Sequence, residues 1–217
     1  MLFQDRLDAG RQLAARLNHY QNEDCIILAL PRGGVPVGYE VAKALGKPLD
    51  ILVVRKVGLP GQEELAVGAV GPGDVTVWNY SLLDYFHLDS LSLQPVVERE
   101  KMELSRRLSA FRGQRPYPDV HGKVVILVDD GLATGASARA AIQAIKAMGP
   151  SQVVLAVPVG SQSTVSELRN KVDELVCVET PVYFEAVSLW YRNFSQTTDH
   201  EVVDLLHEAW QHQLTKH

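Results

Sequence analysis

Short runs of almost uninterrupted apolar residues alternate along this chain with stretches in which apolar residues return every three or four positions. Residues 25–30, 49–54, 123–128, 152–157 and 174–178 are of the first kind and predict buried strands. Residues 35–45, 137–148 and 163–170 are of the second kind and predict helices between those strands. Near the start, Leu7, Leu13, Ala14 and Leu17 fall at helical spacing within residues 5–20 and predict an amphipathic helix. Strands and helices in alternation imply parallel pairing through right-handed crossovers. The expected fold is therefore α/β, a parallel twisted sheet flanked by helices.

Two segments break the alternation. Residues 71–118 hold a short predicted strand at 75–78 and a charged helix at about 90–111, carrying Glu98, Arg99, Glu100, Lys101, Glu103, Arg106 and Arg107. These charges suit i,i+4 pairing on a solvated face, and the segment reads as an insertion. Residues 180–217 are rich in aromatics (Tyr183, Phe184, Trp190, Tyr191, Phe194) and read as a small hood with a helix. The expectation for the 217 residues is one domain carrying these two additions.

Composition narrows the partners. Hydrophobic residues at 46% and charged residues at 22% are those of an ordinary globular chain. A formal net charge of −5 argues against a nucleic-acid partner, whose phosphates call for a basic face. A small anion remains compatible, because a few local cations can outweigh the global sign. Cys25 and Cys177 both lie in apolar runs, which favours buried thiols in a reducing compartment and a cytoplasmic location. No run approaches the roughly 20 apolar residues of a membrane span, and none resembles a signal peptide.

The most specific chemistry follows the strand at 123–128. There the chain reads Asp129, Asp130, Gly131, Leu132, Ala133, Thr134, Gly135, Ala136, Ser137 and then turns helical. The glycines let backbone N–H groups converge, a helix start adds a positive dipole end, and Thr134 and Ser137 add hydroxyls. Such a loop suits a phosphate monoester. The adjacent carboxylates Asp129 and Asp130 suit neighbouring sugar hydroxyls, which donate to them. Read structurally, the acids would be a helix cap and the glycines a turn, which leaves the paired acids at a strand end unexplained. No Walker-type loop and no G-x-G-x-x-G accompany either glycine-rich break.

This stretch, VVILVDDGLATGAS, closely resembles the motif by which type I phosphoribosyltransferases bind 5-phosphoribosyl-1-pyrophosphate (PRPP), and the likeness extends over about two thirds of the chain. The resemblance implies that Asp129 and Asp130 hold the ribose. It implies that Gly131, Ala133, Thr134, Gly135, Ala136 and Ser137 form the 5-phosphate loop. Ala133 stands where the 6-oxopurine branch has an Asp, as it does in the adenine and orotate branches, so hypoxanthine or guanine is not the expected acceptor.

The same resemblance makes Pro31, Arg32, Gly33 and Gly34 the pyrophosphate loop, with a cis bond between Pro31 and Arg32. Arg55 and Lys56, followed by Leu59 and Pro60, are similar to a mobile loop of the adenine-type enzymes that covers the departing charge. The implied cofactor is Mg²⁺, with Asp130 contacting it through water. The implied partners are PRPP and a nitrogenous acceptor, such as a nucleobase. Phe184, Trp190 and Tyr191 are candidates to stack on that acceptor, although aromatic clusters also serve as core. A homodimer is the expected assembly. The rival reading is a regulator that senses PRPP or a nucleotide on the same fold without turnover.

Overall fold

The computed structural model describes residues 2–214. In chain order its elements are α1 (Arg6–Arg16), β1 (Cys25–Ala29), α2 (Gly34–Leu45), β2 (Leu49–Ile51), β3 (Arg55–Leu59), β4 (Gln62–Gly71), β5 (Val75–Trp78), α3 (Tyr80–Tyr85), α4 (Gln94–Arg112), β6 (Val124–Val128), α5 (Ala136–Ala147), β7 (Gln152–Val159), α6 (Gln162–Arg169), β8 (Glu174–Glu179) and α7 (Asp199–Leu214). They cluster into two compact units. One comprises Met1–Leu52, Pro118–Gly135 and Pro150–His217, the other Val53–Tyr117 and Ala136–Gly149.

The first unit holds a five-stranded sheet in the order β2-β1-β6-β7-β8, and every pairing in it is parallel. The apolar runs explain this. All five residues of β6 are buried, as are all five of β1 beside it. Each Val, Leu or Ile so buried contributes roughly 1.5–3 kcal/mol, which is how a strand with no polar face becomes a central one. Ala29 pairs with Val128, so β1 and β6 end level. Both glycine-rich breaks therefore leave the sheet at the carboxyl ends of adjacent strands, where open parallel sheets place their ligands.

Helices close this unit. The Asp5 carboxylate caps α1 by accepting the Asp8 N–H at 2.8 Å. α1 packs on α2, β7 and β8, while α7 packs on α2 and β2. Trp210 of α7 is buried and donates its indole N–H to the Leu49 carbonyl at 2.9 Å. The predicted 180–217 hood is thus divided in role. α7 seals the β2 side of the sheet, and the irregular residues 180–198 form the aromatic part. That part is joined to the chain start: Phe3 donates to the Trp190 carbonyl at 2.9 Å, and the Arg192 N–H donates back to Phe3 at 2.8 Å. Residues 215–217 of the predicted hood lie outside the described residues.

The second unit is an antiparallel sheet, β3-β4-β5, with α4 packed on β3 and β4 and α5 packed on β4 and β5. The predicted strand at 75–78 is β5. The predicted charged helix is α4, which begins after a short 3₁₀ turn at Ser90–Leu93. Residues 55–64, expected as a mobile loop, are regular in this structure. They form a hairpin in which Leu59 pairs with Gln62 across Pro60 and Gly61. Val57 and Leu59 are buried while Lys56 is exposed and Gly58 half-buried, a period-two pattern too short to stand out in the sequence. The unit is accordingly broader than the predicted 71–118 insertion.

Candidate functional site

The two breaks of the first unit touch. The Leu30 N–H donates to the Val128 carbonyl at 2.9 Å, and the Pro31–Arg32 peptide is cis. A Cβ on Gly34 would lie 2.7 Å from the Val128 oxygen and 3.0 Å from the Asp129 Cα. A Cβ on Gly33 would lie 2.1 Å from Asp130 Oδ2. The predicted pyrophosphate loop can approach the acid pair this closely only because it has no side chains there. Arg32 reaches from this loop toward Asp199 at 3.5 Å, an exposed pair that water and salt weaken.

Asp129 and Asp130 are held differently. The Asp130 N–H donates to Asp129 Oδ1 at 2.8 Å. Burial raises the Asp129 carboxyl well above the ordinary carboxylate range, and the neighbouring Asp130 charge raises it further. Asp130 is also pushed up by burial, but Arg6 pulls against that, donating from Nε to Asp130 Oδ2 at 2.9 Å. Arg6 further donates from Nη1 to the Ser195 carbonyl at 2.6 Å, and its guanidinium lies 3.9 Å from the Phe194 ring centroid. The Asp130 carbonyl accepts the Tyr191 hydroxyl at 2.6 Å.

Beyond the acids the loop is pinned by its backbone. Leu132 donates to the Val159 carbonyl at 2.9 Å and accepts from the Ser161 N–H at 3.0 Å. The Ala133 carbonyl accepts the Thr164 hydroxyl at 2.7 Å. Gly135 has φ of 74°, a left-handed turn that delivers the chain into α5. Thr134 on the loop and Ser137 in the first turn of α5 are exposed; Ala136 is half-buried. In the first unit a cleft of about 420 Å³ is lined by Ser161, Gln162, Ser163, Ser166, Val182 and Phe184. Its Ser161 hydroxyl lies 3.4 Å from the Ala133 carbonyl, so the cleft adjoins the loop.

Four predicted residues are held by protein partners. Tyr191 is not an open stacking platform, because its ring is buried between Phe3 at 5.4 Å and Phe194 at 4.9 Å. Burial holds its phenol protonated, which suits the donor role toward Asp130. Trp190 packs against that same buried cluster. Phe184 also packs there, but it keeps an edge on the cleft. Arg55, on β3 of the second unit, is committed to Glu100 at 2.9 Å, which also draws Arg99 at 3.4 Å. Lys56, next along β3, is exposed.

Sequence reasoning missed Arg6 and the serines around Ser161. One signal pointed to Arg6: a cation in the first turn of a helix opposes the helix dipole and calls for a compensating acceptor. Nothing comparable marks the serines, which share the cleft only through the fold.

A carboxylate pair beside two glycine-rich breaks, at the carboxyl ends of adjacent parallel strands, lies where open parallel sheets bind their ligands. The family model of the phosphoribosyl transferase domain matches residues 3–191, and the chain belongs to that family. A Mycobacterium tuberculosis protein, assigned provisionally by its name to the phosphoribosyl transferases, is 49% identical over 208 residues, covering 96% of this chain and 47% of that protein. The chain thus spans about half the length of the mycobacterial relatives it matches. A bifunctional PyrR protein of Clostridium acetobutylicum is 33% identical over 136 residues, covering 62% of this chain and 57% of the relative. A crystal structure from Thermus thermophilus superposes with a TM-score of 0.88 at 42% identity, covering 96% of this chain and 99% of that one.

Proposed function

We propose that the protein transfers the 5-phosphoribosyl group of PRPP to a nitrogenous acceptor and releases pyrophosphate. The observation that carries this reading is the apposition of Asp129 and Asp130 with the side-chain-free loop of Gly33 and Gly34 at the ends of adjacent strands. In the reaction the acceptor nitrogen bonds to the ribose C1 as the bond from C1 to the pyrophosphate oxygen breaks. The electron pair leaves with pyrophosphate, and the acceptor nitrogen loses its proton. Positive charge grows on the sugar, and carboxylates beside it favour that state electrostatically.

In this reading Asp129 and Asp130 accept hydrogen bonds from the sugar hydroxyls, and Gly131, Ala133, Thr134, Gly135, Ala136 and Ser137 take the 5-phosphate. Residues 31–34, with Arg32, take the pyrophosphate, and Lys56 remains the candidate for the departing charge. The cleft beside Ala133 supplies hydroxyl and amide groups and the Phe184 edge for a planar acceptor. The adjacent carboxylates Asp129 and Asp130 match the donor chemistry of Mg²⁺, which commonly keeps waters and binds one or two carboxylates plus substrate phosphates. Asp130 would contact it through water, and the ion would neutralise charge on the leaving pyrophosphate.

A second reading, a PRPP- or nucleotide-sensing regulator without turnover, draws on Arg55 being paired with Glu100 and so diverted from ligand. One experiment separates the two. Titration calorimetry of PRPP with and without Mg²⁺, on the wild type and on Asp129→Asn/Asp130→Asn, is followed by a screen of bases for pyrophosphate release. Binding lost in the variant, with release for one base, is the transferase outcome. Binding without release is the regulator outcome, and no PRPP binding by the wild type overturns the transferase reading and PRPP sensing alike.

A further inference from the structure

We propose that Arg6 is a positioning residue of the ribose site, which sets the Asp130 carboxylate for the sugar and ties it to the chain segment around Ser195. This rests on the PRPP reading above. It adds a residue from the opposite end of the sequence, and the experiment below fails in a different way from that reading.

Arg6 stands in the first turn of α1, where the helix dipole repels a cation, yet its side chain is only 12% exposed. Three partners offset that cost in three directions. Nε meets Asp130 Oδ2 at 2.9 Å, Nη1 meets the Ser195 carbonyl at 2.6 Å, and the guanidinium face lies 3.9 Å from the Phe194 centroid. Only a planar, multiply donating cation satisfies all three at once, so a lysine would replace the charge and lose the geometry.

The consequence falls on Asp130. Its carboxylate is crowded by both Arg6 and Gly33, since a Cβ on Gly33 would stand 2.1 Å from Oδ2 and 3.2 Å from Arg6 Nε. On the backbone side the Tyr191 hydroxyl fixes the Asp130 carbonyl at 2.6 Å. An ionised carboxylate offers about four lone-pair sites, of which Arg6 and the Asp129 side chain each engage one. The remaining sites face the task of accepting sugar hydroxyls with the side chain already fixed, which lowers the ordering cost of binding. A role as a stitch between distant segments would use the same contacts, but it would not discriminate between ligands that contain ribose and ligands that do not.

That difference is the test. Arg6→Gln and Arg6→Lys are compared with the wild type by calorimetry, using PRPP, ribose 5-phosphate and inorganic pyrophosphate as probes, with thermal unfolding recorded for each protein. The expected result is a loss of about 10- to 100-fold in affinity for PRPP and ribose 5-phosphate in Arg6→Gln, the size of one charge-assisted hydrogen bond. Pyrophosphate binding should change by less than about threefold, and Arg6→Lys should recover part of the ribose-dependent loss. Should Arg6→Gln not fold, the probe split is read from Arg6→Lys, whose retained charge keeps Asp130 paired. Equal losses for all three probes, or unchanged affinity for ribose 5-phosphate, overturn the proposal. A wild type that binds no PRPP overturns the PRPP reading itself.

Discussion

Gly33 and Gly34 face different obstacles, and their substitutions should fail differently. A methyl group on Gly34 would press on the Val128 carbonyl and the Asp129 Cα, which are backbone and cannot rotate aside. Gly34→Ala should therefore destabilise the fold by about 1–3 kcal/mol, read as a lower midpoint in urea. A methyl on Gly33 meets the Asp130 carboxylate, which can swing away. Gly33→Ala should keep more of the stability and lose PRPP affinity instead. Asp129 carries the opposite burden. Its carboxyl is raised by burial, so the folded state binds a proton more tightly than the unfolded chain does. Its contribution to stability is fully present below the ordinary carboxylate pKa of about 4 and is lost as pH rises toward the folded value. Asp129→Asn, which keeps an oxygen for the Asp130 N–H, should thus melt higher than the wild type at neutral pH. The gap should close on acidification below about pH 4, as a series of thermal melts across pH will show.

Individual elements assign roles that residue types alone do not. Arg55 and Lys56 are neighbours on β3, yet the first is bound to Glu100 while the second is exposed. Arg55→Met should leave Glu100 buried with weakened pairing and cost about 3 kcal/mol in denaturant unfolding, whereas Lys56→Met should leave stability within about 0.5 kcal/mol and slow pyrophosphate release. Equal stability of the two variants would contradict that division. At α7, Trp210→Ala removes a buried ring and its bond to Leu49, and a loss of about 3–5 kcal/mol is expected. The strands of the parallel sheet were legible because β1 and β6 have no polar residue to mislead the pattern. The hairpin of β3 and β4 was not, since Gly58, Pro60 and Gly61 read as punctuation and the buried positions Val57 and Leu59 are too few to show a period.

At the scale of the whole molecule, the acid pair and both glycine-rich breaks were legible because each is contiguous in sequence. What escaped was contact across the chain. Arg6 and Asp130 are separated by 124 positions, and Arg6 and Ser195 by 189. Such pairs leave no periodicity, and only the layering of α1 over the sheet and of residues 180–198 beside it brings them together. Whether Tyr191 stacks on a ligand or joins the core was open for the same reason: an aromatic residue in sequence does not reveal that Phe3 lies against it.

The pairing of Phe3 with Trp190 and Arg192 also sets an order of events during synthesis. The sheet's central strands are available once β7 has been made, but Arg6 gains its Ser195 acceptor only after nearly the whole described chain has left the ribosome. A nascent chain halted before that point would hold Asp130 beside an Arg6 that still lacks its second acceptor, so the full set of contacts around that carboxylate closes late.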